Sequence, residues 1–133
     1  MRKLLLGAVP ASAALLLGLV AAPAHAAENP LYTTGARAFV NTYSGQVEVC
    51  DTRADGRRAV ALAVNVTRGR ILGYPEDMNG ANGCTPQSGT GQGAALDRFW
   101  HTPSRNDEIR LEVWIQDGEG GAQENFTWTT LYY

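Results

Sequence analysis

The chain reads as an all-β domain: a small antiparallel sandwich of two sheets, immunoglobulin-like, with about six or seven strands and one disulfide. A small closed barrel fits the same periodicity. Three observations point this way. Large apolar side chains recur at every second position in two long runs, turn-forming residues return at intervals of roughly ten residues, and no helical periodicity follows the N-terminal segment.

The N-terminal segment stands apart. Arg2 and Lys3 precede an apolar stretch from Leu4 to Ala22, which runs into Ala24-His25-Ala26. This three-part layout is that of a secretory signal peptide, with cleavage expected after Ala26. Gly, Pro and Ser interrupt the stretch, and no other approaches the roughly 20 apolar residues that span a bilayer, so export without a membrane span is expected. Residues 27–35 read as a flexible lead-in and residues 36–133 as a single β domain.

The elements follow in order. "ARAFVNTY" (Ala36 to Tyr43) is rich in β-formers, and Ser44-Gly45 separates it from "QVEVC", in which Val47 and Val49 share a face. These two runs are expected to form a hairpin. "CDTRADG" then reads as the turn of a second hairpin. Its Asp side chains would accept bonds from the turn backbone, and Gly56 would take a positive φ.

Beyond that turn Val60, Leu62, Val64 and Val66 alternate with Ala59, Ala61, Ala63 and Asn65. The period is 2 and the large residues are mostly β-branched, so this is a strand. "RILGY" (Arg70 to Tyr74) continues it or pairs beside it. Pro75 to Gly93 is dense in Gly, Asn, Pro and Ser, longer than a usual connection, and holds Cys84.

The chain resumes with "ALDRFWH" (Ala95 to His101). In "EIRLEVWIQ", Ile109, Leu111, Val113 and Ile115 face one way, with Glu108, Arg110, Glu112, Trp114 and Gln116 on the other. "DGEGG" ends this strand. The last run, "QENFTWTTLYY", puts Phe126, Trp128, Thr130 and Tyr132 on one face. That face is read as the core side, with an exposed aromatic face as the alternative.

Removing 26 of the 133 residues leaves 107, with nine arginines against thirteen acids, a net charge of about −4. No basic cluster is present to neutralise phosphates, so a nucleic-acid partner is not expected. Cys50 and Cys84 are expected to pair in an exported chain. On the chain-entropy model, closing this loop would stabilise the fold by about 3–4 kcal/mol.

"VEVCDTRADGRRAV" (Val47 to Val60) resembles a segment of small exported actinobacterial β-proteins, in which a valine-rich strand ends in Cys-Asp and an Ala-Asp-Gly turn leads onward. The resemblance implies export and a β fold. It brings no catalytic residue with it.

Catalytic and metal chemistry is weakly represented. Asp51, Asp55 and Gly56 share part of a calcium-loop pattern, but Arg53 occupies a ligand position and no closing glutamate follows. Zinc needs several His or Cys ligands, and only His101 follows the signal segment. Ser44, Ser88 and Ser104 lie outside any nucleophile-elbow pattern. No metal, cofactor or enzymatic activity is expected. Asn65 and Asn125 match the glycosylation pattern and are expected to point outward from their strands.

Aromatic residues are the more informative set. Trp114, on the charged face of its strand, and Trp100 are candidates for an outward platform that stacks on a sugar ring or a protein partner; the alternative is that the other sheet, a neighbouring loop or a twisted strand covers the Trp114 ring. Tyr74, Asn79 and Asn82, in and beside the Pro75–Gly93 loop, complete the candidate surface. The expected role is a secreted, non-catalytic binding module for extracellular carbohydrate or protein. The alternative is an inhibitor of an extracellular hydrolase that inserts the disulfide-held loop.

Overall fold

A computed structural model of the chain describes residues 30–78 and 95–133. Within them lie nine strands: β1 (Leu31–Thr33), β2 (Ala36–Asn41), β3 (Gln46–Asp51), β4 (Arg58–Asn65), β5 (Arg70–Gly73), β6 (Glu76–Asp77), β7 (Leu96–Arg98), β8 (Glu108–Gln116) and β9 (Glu124–Tyr132). No described residue is helical. The surplus over six or seven comes from short pieces that a periodicity argument cannot register. One of them, β1, lies inside the stretch expected to be a flexible lead-in and pairs with β2.

The strands form two antiparallel sheets. A four-stranded sheet runs in the order β1-β2-β3-β7, and a five-stranded sheet runs β5-β4-β8-β9 with β6 paired to β4. The β2–β3 hairpin is as expected, with Gly45 in the left-handed region at φ 64°. The second expected hairpin is not formed. β3 belongs to the four-stranded sheet and β4 to the other, so "CDTRADG" crosses between sheets.

Its local chemistry is nevertheless that of a turn. The Arg53 N–H donates to Asp51 Oδ1 at 2.8 Å, the Arg57 N–H donates to Asp55 Oδ1 at 3.0 Å, and Gly56 has φ 80°. These contacts satisfy the backbone whether the next strand turns back or passes to the facing sheet.

The core lies between the sheets. Its buried members are Ala36, Ala38, Val40, Val47 and Val49 from the four-stranded sheet, facing Ala59, Ala61, Ala63, Leu72, Ile109, Leu111, Val113, Ile115 and Leu131. On β4 it is therefore the alanine face that enters the core, while the Val60-Leu62-Val64 face turns away. Asn65, expected to point outward, belongs to the inward face and is 2% exposed. At Gly73 an added Cβ would sit 2.4 Å from Val47 Cγ1, so the sheets approach there as closely as a hydrogen side chain allows.

Cys50 is buried and lies opposite Arg37 across the β2–β3 ladder, on the face away from the core. The second member of its expected bridge, Cys84, lies outside the described residues, as do Asn79 and Asn82.

Candidate functional site

The face of the five-stranded sheet that points away from the core carries aliphatic and aromatic side chains on both sides of a charged row. Antiparallel register places directly paired residues on one face, and it builds this surface in rows. Val60 lies opposite Trp114, Leu62 opposite Glu112 and Val64 opposite Arg110; on the far side of β8, Trp128 pairs with Glu112, Thr130 with Arg110 and Tyr132 with Glu108. Along β9 the alternation leaves Phe126, Trp128 and Tyr132 exposed by 45%, 56% and 69%. The inward positions of the same strand end in the buried Leu131. The aromatic face of the last strand is thus outside, a correction to its reading as the core side.

Trp114 is also corrected. It lies on the outward face, as the alternation requires, but it is only 2% exposed and offers no platform. Its neighbours cover it: the Tyr74 ring stands edge-on with centroids 5.9 Å apart, and the Phe126 ring tilts against it at 6.3 Å. The indole Nε1–H donates to Gln116 Oε1 at 2.8 Å, and Gln116 Nε2 donates to the Gly118 carbonyl at 3.0 Å. A buried indole needs such an acceptor. Trp114 is the foundation on which Phe126 and Tyr74 rest.

A bulge fixes where the row begins. Val113 pairs with Thr127 but Ile115 pairs with Glu124, so β9 carries one extra residue. Asn125, at φ 54°, supplies it in the left-handed region that asparagine tolerates. Its Nδ2 donates to the Thr34 carbonyl at 3.0 Å and its carbonyl accepts from Thr33 Oγ1, tying β9 to the end of β1.

Tyr74 sits at the other margin, half-exposed. Its N–H donates to Asp97 Oδ2 at 3.1 Å, and the ion pair between Arg58 and Glu76, 2.8 Å long, stands nearby. Burial, with a smaller contribution from Glu76, raises the Tyr74 hydroxyl above its ordinary value, against the opposing pull of Arg58. The phenol therefore remains a neutral donor. Down the middle of the face, Arg110 and Glu112 pair at 2.7 Å.

Trp100 is exposed but belongs elsewhere. Its N–H donates to the Leu72 carbonyl on β5 at 2.8 Å, which places it at the sheet edge opposite β9. Three strand spacings, roughly 14 Å, separate those edges. The sequence candidates are therefore dispersed: Tyr74 joins the aromatic face, Trp114 supports it and Trp100 stands apart. Phe126, Trp128 and Tyr132 were visible as an alternating set, and only the direction of their face was misread.

Of the residues weighed for catalysis Ser88 lies outside the described residues, and the others make separate contacts. Ser44 Oγ donates to Gln46 Oε1 at 2.8 Å, Ser104 Oγ accepts from Arg68 Nη2 at 2.7 Å, and His101 is exposed in the loop before β8. Two grooves are lined by described residues, one of about 350 Å³ at Pro30, Tyr32, Arg37 and Phe39, the other of about 280 Å³ beside Tyr43 and Arg98. The first is lined by two aromatic rings, a proline and a guanidinium, none of which is a base. What the outer face can do is stack flat apolar groups and offer hydrogen-bond donors at their edges. No family model, curated protein or solved structure matches the chain.

Proposed function

We propose that this chain is an exported, non-catalytic binding module whose ligand lies along the aromatic row of β9, and that the ligand is an extended polysaccharide. The observation that carries this reading is the row itself: Phe126, Trp128 and Tyr132 on one face of one strand, with Thr130 between the last two, exposed on a sheet whose core holds no aromatic ring among its buried members. Burying such rings against the apolar faces of sugar residues removes apolar area from water. The Trp128 indole N–H, the Tyr132 hydroxyl and the Tyr74 hydroxyl supply polar edges for sugar hydroxyls. A rigid platform loses little entropy on binding.

The sandwich is immunoglobulin-like on this proposal. Equating β2, β3 and β7 with strands A, B and E, and β5, β4, β8 and β9 with C′, C, F and G, reproduces the neighbours of that arrangement. We further propose that Cys50 pairs with Cys84. Reduction should then add about two mass units to the intact protein, and free thiol beforehand would remove the bridge.

The test is depletion of the purified protein by a panel of insoluble polysaccharides. Saturable depletion is expected on at least one, weakened about 30-fold by Trp128→Ala and retained by Trp100→Ala. Depletion by none would overturn the carbohydrate reading. Inhibition of a protease or amylase under the same conditions would instead support the inhibitor role.

A further inference from the structure

We propose that a second copy of this chain pairs with the open edge of β9, across a two-fold axis at Thr130. β9 ends the five-stranded sheet, with β8 on one side and no described strand on the other. β1 meets its beginning, where Thr33 and Thr34 bond to Asn125, and forms no ladder with it. From Thr127 to Tyr132 no described strand pairs with this edge.

Its backbone groups are aligned for a partner strand. The Tyr133 N–H donates to the Asp107 carbonyl at 3.0 Å and the Tyr133 carbonyl accepts from the Asn106 N–H at 2.8 Å, so Tyr133 points toward the β8 side. The alternation of an antiparallel ladder then turns the N–H and C=O groups of Trp128, Thr130 and Tyr132 to the open edge.

Exported β-proteins protect long edges with charges, prolines, bulges or brevity. The other edges here are so protected. β1 and β7 have three residues each, with Asp97 and Arg98 on β7, and β5 has four residues beginning with Arg70. Of the edge strands β9 alone has nine residues, and from Asn125 to Tyr132 it carries no charged side chain, no proline and no glycine. The short bulge at Asn125 is already used by β1.

The occupant is a second copy because the edge complements itself. Antiparallel pairing with Thr130 opposite its own counterpart puts Trp128 opposite Tyr132 of the other chain. Outward-pointing backbone groups then meet each other, and no like charges meet across the axis. Such an isologous contact closes as a dimer and cannot propagate. The two aromatic rows would lie side by side on one continuous face. This inference does not depend on the ligand of that face.

The experiment is light scattering of the purified full chain without ligand, with three variants. The wild type is expected at twice the mass of one chain. Thr130→Pro removes only an edge-facing donor, a position where proline is tolerated, and should return the single-chain mass. Thr130→Lys places like charges across the axis and should do the same with an unchanged circular dichroism spectrum. Thr130→Cys should form a covalent dimer on oxidation, because directly opposed hydrogen-bonded residues lie within disulfide reach. Tyr43→Cys, on an exposed turn, should not. A wild type at single-chain mass, whether its edge is left open or taken by another protein's strand, would overturn the proposal. So would a Thr130→Pro variant that keeps the double mass.

Discussion

Asn65, at the end of β4, donates from Nδ2 to Oδ2 of Asp107, forty-two residues further on, at 2.7 Å. The same carboxylate oxygen accepts from the Ser104 N–H and from Arg68 Nε, both at 2.8 Å. One acid thus joins the strand end, the turn after it and the loop that leads into β8. The Ser104 N–H first, then Asn65 and Arg68, hold the Asp107 carboxyl below its ordinary value.

Asp107→Asn should therefore be less stable than the wild type near neutral pH. A carboxyl whose pKa is lowered by folding contributes stability above its unfolded value, and that contribution disappears as pH falls through the lowered value. The difference between the two proteins should be largest above about pH 4 and close in stronger acid. Urea titrations at neutral and acid pH measure it, and an equal difference at both would count against the assignment.

Asp51 should behave in the opposite sense. It is 3% exposed, its Oδ2 has no hydrogen-bond partner among the described residues, and burial raises its pKa, helped by Asp55 and Asp77 and opposed by the Arg53 N–H. Ionising it costs the folded state stability as pH rises above 3.8. Asp51→Asn keeps an Oδ1 acceptor for Arg53 and should be at least as stable as the wild type at neutral pH, with any advantage vanishing in acid. Marked destabilisation at neutral pH would contradict this.

Gly73→Ala should cost about 1–3 kcal/mol, the usual range for overpacking, because the new methyl meets Val47 Cγ1 at 2.4 Å. Val47→Ala in the same chain should recover part of the loss. Thermal unfolding of the single and double variants checks the coupling; simple additivity of the two losses would show that the contact is not the cause.

Trp114 and Trp128 should separate cleanly. Trp114→Ala should destabilise by about 3–5 kcal/mol, as removal of a buried aromatic does. Trp128→Ala should leave stability within about 0.5 kcal/mol, as exposed substitutions do, yet weaken ligand binding by about 30-fold, the loss of a typical hot-spot residue. Paired measurements of melting temperature and polysaccharide binding distinguish them.

The strands were legible because period 2 is a local property: β4 and β8 announce themselves from side chains a few residues apart. Which face enters the core was not legible where both faces are apolar. Val60, Leu62 and Val64 look more core-like than Ala59, Ala61 and Ala63, and the choice between them is made by the facing sheet, whose own lining contains Ala36 and Ala38. Trp114 was placed on the correct face, but its burial depends on Tyr74 and Phe126, forty and twelve residues away in sequence. The crossing at "CDTRADG" is not legible, because an Asp-Gly turn satisfies its own backbone without specifying the sheet that the next strand joins.

The alanine lining of the core divides the work of each strand between its two sides. Small inward side chains leave little room for enlargement, so the interior admits few alternative sequences. On the outer side Trp128 and Tyr132 bear no part of that packing. Such a chain can exchange these two exposed rings for other side chains while the scaffold beneath stays fixed.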